Sequence, residues 1–357
     1  MRSIARVRRR ALALAVGTLL VAFSAAPALA CGGLIGPNGA VNLLRTTTFA
    51  GYHAGEEHYV TAFEFAGGGG AFGSLTPLPD IPSKVEKGGD WTLQRLRLET
   101  DPPLLELAAA GEAVRTSADS AEVLMEVTID ALDITVLRGG ADEVGRWATD
   151  HGFRLPPDAP EVLEFYAARS QIFLAAAFDA DAAAARGQQV GDGTAVHLTI
   201  PTDDPWVPLR ILGLGKTSAE VVEADVYLLT DRAPAMLPRP DGFNGMALDH
   251  SAPATDSLLA DLRSDRGMDW VPADAWLTKV AIDAKAPELK FDLAIDASGA
   301  AAPSRVDAGL DLPGATDPTV AQVIRTMLAL TFVVGGVGGV LLLVRRRTDD
   351  LGGMRPA

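Results

Sequence analysis

The sequence predicts an α+β protein: a mainly antiparallel β ectodomain with two or three short helices, plus one C-terminal transmembrane helix. Three observations predict it. Several segments alternate apolar and polar residues with a period of two, the mark of half-buried strands. Only a few stretches carry a helical stripe, and strands precede helices that precede more strands, an order foreign to an alternating parallel fold. Near the C-terminus an apolar run without a single charge is long enough to span a bilayer.

Residues 1–30 read as a secretion signal. Arg2, Arg6 and Arg8 to Arg10 form a basic start, Ala11 to Phe23 an apolar core, and Ala28-Leu29-Ala30 a small-residue cleavage site. The apolar core is too short to be a comfortable span, so residues 1–30 are set aside from the fold.

The ectodomain spans 31–302. Tyr59, Thr61, Phe63 and Phe65 share one strand face. Val127 and Ile129, then Ile134 and Val136, give two more strands. Val144, Trp147, Ala148 and His151 fall at i, i+3, i+4 and i+7, a helix stopped by Gly152. Pro160 opens a second helix with Leu163, Tyr166 and Ala167 on one side, and the apolar run Ile172 to Phe178 follows as a strand. The stretches Trp206 to Leu212 and Glu220 to Thr230 flank Gly213-Leu214-Gly215-Lys216 and read as a hairpin. Thr255 to Ser264 is a third helix with Leu258, Leu259 and Leu262 inward. Leu289, Phe291, Leu293 and Ile295 form a last strand face, with Lys290, Asp292 and Asp296 opposite.

Ser298 to Thr316 is rich in Ala, Gly, Pro, Asp and Ser, the composition of a flexible stalk, so 303–325 is assigned as stalk and juxtamembrane segment. Thr326 to Val344 carries 19 uncharged residues, about 28 Å of helix at 1.5 Å per residue. Arg345-Arg346-Arg347 follows at once and marks 345–357 as a cytoplasmic tail. The expectation is a single-pass type I protein of the cell membrane, ectodomain outside and C-terminus inside. Gly335 and Gly339 form a GxxxG spacing through which two such helices would pair as a homodimer.

Charge narrows the partners. Setting aside the five Arg of the first 30 residues, and the four Arg and two Asp of the tail, leaves 22 basic against 44 acidic residues, a net of −22. Such a surface repels nucleic acid and anionic membranes. Cys31 is the one cysteine of the chain, so no intramolecular disulfide exists. Ala28-Leu29 inverts the usual residue sizes of a lipid-attachment box, so a free or buried thiol is the preferred reading over an acylated one.

Candidate chemistry is sparse. His53 and His58 enclose Glu56 and Glu57, but a zinc site needs three or four ligands in fixed geometry and no second His or Cys cluster is visible. His151, His197 and His250 stand apart in the sequence. Gly213-Leu214-Gly215-Lys216-Thr217 lacks the first glycine of a phosphate loop, because that position is Arg210. Gly67 to Gly70 lacks dinucleotide spacing, and Gly73-Ser74-Leu75 lacks the second glycine of a nucleophile elbow. Asp179, Asp181, Asp192, Asp203 and Asp204 miss the alternating register of a calcium loop. No catalytic, cofactor-binding or metal residue is therefore assigned, and no cofactor is expected. A non-catalytic ectodomain for binding or assembly is the favoured function. The alternative is an extracytoplasmic hydrolase or metal-dependent enzyme with a site built from dispersed acids.

Several blocks, in order, resemble the bacterial family of unknown function DUF2330. They are Cys31-Gly32-Gly33, Leu75-Thr76-Pro77-Leu78-Pro79-Asp80-Ile81-Pro82, Trp147 to Phe153, Tyr166 with Phe173-Leu174, and Trp206-Val207-Pro208-Leu209-Arg210. The likeness spans roughly 31–235. It implies export, often with a membrane helix, and brings no established activity or catalytic residue.

Overall fold

A computed structural model describes residues 28–29, 33–37, 39–40, 45–64, 72–101, 123–187, 193–242 and 244–312. Along the chain run β1 (Ala28–Leu29), β2 (Gly33–Gly36), β3 (Gly39–Ala40), β4 (Arg45–His53), β5 (Glu56–Glu64), β6 (Phe72–Leu78), β7 (Lys84–Lys87) and helix α1 (Thr92–Thr100). The middle holds β8 (Val123–Ile129), β9 (Leu132–Arg138), α2 (Ala141–Asp150), α3 (Ala159–Ala167), β10 (Ile172–Phe178) and the short α4 (Ala180–Ala185). Then come β11 (Gly193–Pro201), β12 (Trp206–Val207), β13 (Val221–Thr230), β14 (Ala235–Leu237), β15 (Met246–Pro253), α5 (Asp256–Ser264), β16 (Trp276–Lys285) and β17 (Leu293–Asp296).

Three sheets form. An eight-stranded sheet runs β15-β16-β13-β4-β5-β11-β7, with β1 beside β4. A six-stranded sheet runs β3-β2-β6-β10-β9-β8, and a three-stranded one β12-β17-β14. Pairing is antiparallel except for β4 with β13 and β1 with β4.

Strand parity divides the core in two. On β13, Val222, Ala224, Val226 and Leu228 join the large cluster shared with the six-stranded sheet, α2 and α3. Tyr227 and Leu229, from the opposite face, join a smaller cluster under α1 and α5 with Leu96, Leu258, Leu259 and Leu262. The same split holds on β4 and β5, where Ala50 and Tyr59 face the large core and Phe49 and Val60 the small one. The eight-stranded sheet is thus covered on both faces, which is why β13 reads as a continuous apolar run over Val226 to Leu229.

Two caps hold the second layer. Helix α1 lacks a side-chain cap of its own. Asp265, just past α5, accepts from the Trp91 and Thr92 amides at 3.1 and 2.7 Å and from the Thr92 hydroxyl at 2.7 Å. Thr255 caps α5 by accepting from the Leu258 amide at 3.2 Å.

A buried ionic knot joins the far end of the chain to the middle. Asp292, fully buried, accepts from the Leu209 and Arg210 amides at 2.6 and 2.8 Å and from the Tyr166 hydroxyl at 3.0 Å. Its other oxygen pairs with Arg169, whose guanidinium lies 3.9 Å over the Trp206 ring. Burial pushes the Tyr166 hydroxyl well above its ordinary pKa. Because the carboxylate satisfies two backbone amides and neutralises a buried cation, charge at this depth is tolerated.

The fold departs from expectation in several places. Among the described residues no helix is long and apolar enough to cross a membrane, so the fold class is corrected to mixed α+β with antiparallel sheets and few helices. Thr326 to Val344, with Gly335 and Gly339, lies outside the described residues, as do residues 1–27, Cys31 and the tail. The described helices number five, not two or three; α1 and α4 are additions. Trp206 to Leu212 and Glu220 to Thr230 do not form a hairpin: β12 pairs with β17, and β13 with β4 and β16. Asp292 is buried rather than outward. Of the predicted stalk, the part up to residue 312 packs against the domain, with Ala308 fully buried and its carbonyl accepting from the Asp292 amide at 3.0 Å.

Candidate functional site

A gathering of titratable groups lies on the small-core face of the β4–β5 hairpin. In the ladder His53 opposes Glu56 and Gly51 opposes His58. By parity His53, Glu56 and His58 share the face of the small core, while Glu57 points into the large one. The turn between the strands is Ala54-Gly55, both with positive φ (53° and 84°), the tight geometry that sets this register.

Each histidine is oriented by a partner from another strand. The His53 Nδ1 lies 2.7 Å from Asp231 Oδ1, just past β13. A carboxylate only accepts, so this nitrogen carries the proton and Nε2 is left with a lone pair. The His58 Nδ1 meets the His197 Nε2 at 3.1 Å across from β11. On the far side the His197 Nδ1 faces Glu86 Oε1 at 3.6 Å, and Lys84 holds that carboxylate at 2.7 Å. The negative charge of Glu86 favours a proton on the His197 Nδ1, which makes its Nε2 the acceptor and His58 Nδ1 the donor. The His58 Nε2 then presents a lone pair, 4.0 Å from Glu56 Oε2.

Trp270 roofs the pair. Its ring stacks on His58 at 3.8 Å with 2° between the planes. Gly51 makes this possible, because a Cβ there would sit 2.2 Å from the indole. His58 and His197 are 6% and 2% exposed, so burial comes first among the causes that lower both imidazole pKa values, His58 to about 3. For His58 the neighbouring His197, His53 and Lys84 add to it.

Glu57 is the outlier of the hairpin. It is fully buried, both carboxylate oxygens lack a hydrogen-bond partner among the described residues, and burial pushes its pKa up to about 8. The acid is protonated at neutral pH, in keeping with the Ile200 and Tyr52 it opposes in the ladder.

The other predicted positions scatter. His197 is not isolated as its place in the sequence implied; strand pairing of β11 with β5 brings it to His58. His151 stacks on Trp147 at the end of α2, and His250 sits on the edge strand β15. Asp179 caps α4, accepting from the Asp181 and Ala182 amides at 2.9 Å each. Asp203 and Asp204 line a different feature, a cleft of about 120 Å³ shared with Asp296 and Asp307. Asp192 and Gly67 to Gly70 lie outside the described residues. In the Gly213 to Lys216 loop, Asp158 already accepts from the Gly215 amide at 2.9 and 3.1 Å, where a phosphate loop would present that amide to its ligand. Ser74 is buried in β6, not raised on a turn. Among the described residues no three His, Cys, Asp or Glu side chains are already gathered around a point that would hold a metal ion.

Comparison with known proteins adds a family and little else. The family described as "Uncharacterized protein conserved in bacteria (DUF2330)" matches residues 25–236. No curated protein matches the chain. Among solved structures, baculovirus P35 is similar at 7% identity and a TM-score of 0.37, covering 71% of this chain and 96% of that one. P35 in its complex with caspase-8 gives 7% and 0.34, over 71% and 90%. A mutated P35 after caspase cleavage gives 9% and 0.34, over 59% and 75%. At those scores the likeness carries no functional argument.

Proposed function

The chain belongs to the DUF2330 family of uncharacterized bacterial proteins, and on that premise we propose that it acts outside the cytoplasm as a non-catalytic envelope protein, its acidic domain serving to bind a partner or support an assembly. The observation that carries the reading is the state of the best-placed chemical groups. His58 lies under Trp270 and His197 is 2% exposed, so the pair pins the 265–275 segment to the sheet rather than offering an open surface to a substrate. The export pattern of residues 1–30 supports the location, and the excess of 44 acids over 22 bases in residues 31–325 supports a cationic or basic partner.

The test is cross-linking in the producing cell, with turnover assays on the purified chain. The expected result is a discrete cross-linked adduct, together with no turnover of ester, phosphate or peptide substrates between pH 5 and 8. One observation favours a second reading, an extracytoplasmic hydrolase. The series Glu86, His197, His58 has the form of an oriented base, a carboxylate setting one imidazole that sets the next. Turnover abolished by His197→Gln in a variant that keeps its thermal midpoint would establish that reading and overturn the first.

A further inference from the structure

From the geometry of the β4–β5 hairpin we infer that His53, Glu56 and His58 form a binding site for a divalent transition-metal ion such as Zn²⁺ or Cu²⁺. Three features carry it. The residues share one face of one hairpin, His53 directly opposite Glu56 and diagonal to His58. Such neighbours have Cβ atoms about 5–8 Å apart, within reach of an ion bound at about 2.0–2.2 Å by imidazole and carboxylate.

Second, both imidazoles are already set as ligands. A metal-binding histidine normally donates its other N–H to a carboxylate or another acceptor, which fixes the tautomer and aims the free nitrogen. Here Asp231 takes the His53 Nδ1 proton at 2.7 Å and His197 engages the His58 Nδ1 at 3.1 Å. The outcome in both cases is an Nε2 lone pair, and parity puts both rings on the same face.

Third, the site combines a rigid wall with a movable arm. Trp270 holds His58 flat at 3.8 Å, while the Glu56 carboxylate is 46% exposed and 4.0 Å from the His58 Nε2. The three ligands are not gathered around one point, so binding requires the exposed Glu56 side chain to rotate until its oxygens reach an ion held by both nitrogens. The charged groups nearby are Lys84, which repels a cation, and Glu86, Asp231 and Asp269, which attract one. Two nitrogens and a carboxylate suit zinc, copper or nickel and not magnesium or calcium. Water would fill the remaining positions. This departs from the metal-free expectation drawn from the sequence and is independent of the binding-or-assembly reading.

The experiment titrates the untagged full-length chain with Cu²⁺, read by electron paramagnetic resonance, and with Zn²⁺, read by calorimetry. One ion per chain is expected, with two nitrogen couplings for copper and no competition from Mg²⁺. His53→Gln, at a 38% exposed side chain, should weaken Zn²⁺ at least ten-fold without lowering the thermal midpoint. Asp231→Asn should weaken it about ten-fold through the lost orienting contact. His250→Gln, on another strand, should bind as the parent does. Absence of one-to-one binding, or His53→Gln and Glu56→Gln variants that bind as tightly as the parent, would overturn the inference.

Discussion

Replacing Glu57 by Met should make the protein more stable at alkaline pH, and the gain follows from the structure. The native pKa of about 8 lies above the ordinary 4.5, because burial penalises the carboxylate and neither oxygen has a partner among the described residues. A raised acid pKa stabilises the fold below the unfolded value, and that stability drains away as pH rises toward the native one. With those two pKa values the penalty is about 3 kcal/mol at pH 6.5 and about 4 kcal/mol at pH 8. Glu57 should therefore cost the parent about 1–2 kcal/mol between the two pH values. Burial lowers His58 and His197, so they act in the opposite sense across this window, because the unfolded chain still binds part of a proton at each near pH 6.5. Comparing variant with parent isolates Glu57. Met keeps the length of the side chain and removes both polar atoms, so Glu57→Met should lose that slope. Urea denaturation followed by circular dichroism at pH 6.5 and 8 measures it. A variant that keeps the parental dependence on pH would refute the argument.

Other perturbations test the rest of the framework. Gly51→Ala places a methyl 2.2 Å from the indole of Trp270; overpacking should cost about 1–3 kcal/mol and lift the ring off His58, seen as a change in tryptophan fluorescence. Asp292→Ala leaves Arg169 buried without its counter-ion, a loss of about 3–5 kcal/mol in chemical denaturation. Asp265→Ala removes the cap of α1, which should cost about 1–2 kcal/mol and raise hydrogen exchange at residues 91–95 first. Acidification should destabilise through His58, whose native pKa near 3 lies below the ordinary 6.5. That stability is present above pH 6.5 and falls as pH drops, by about 3 kcal/mol at pH 4, so His58→Gln should flatten the acid limb.

Local patterns carried much of the fold. The stripe Val144, Trp147 and Ala148 and the triplet Leu258, Leu259 and Leu262 are buried as their spacing implied, and so are Tyr59 and Thr61 on β5 and Ile134 and Val136 on β9. What the chain hid is non-local. Helix α1 was missed because Leu93, Arg95, Arg97 and Leu98 give a weak stripe, and its cap comes from Asp265, far along the chain. Asp292 alternates like a surface residue, and only the convergence of Arg169, Tyr166 and the Leu209 and Arg210 amides explains its burial. Trp206 to Arg210, one of the family blocks, turns out to be the backbone that grips it. His53 and His58 were visible as neighbours, but His197 and Asp231 meet them only through strand pairing. A His at an inward strand position between apolar residues, as in Val196-His197-Leu198, was the one available signal.

The placement of β4 at the middle of the eight-stranded sheet has a consequence for how the chain comes into being. One neighbour, β13, begins at Val221, and its other flank depends on β11 through β5. The strand that completes β13, β16, ends at Lys285, and the carboxylate that neutralises Arg169 is later still, at Asp292. A chain emerging from its N-terminus therefore cannot close its central sheet until nearly all of the domain is out. Loop closure over such separations is slow, and meanwhile β4 has its hairpin partner β5 on one side but lacks β13 on the other. The central strand is thus held in place by strands made long after it, and the middle of the chain by a carboxylate made later still.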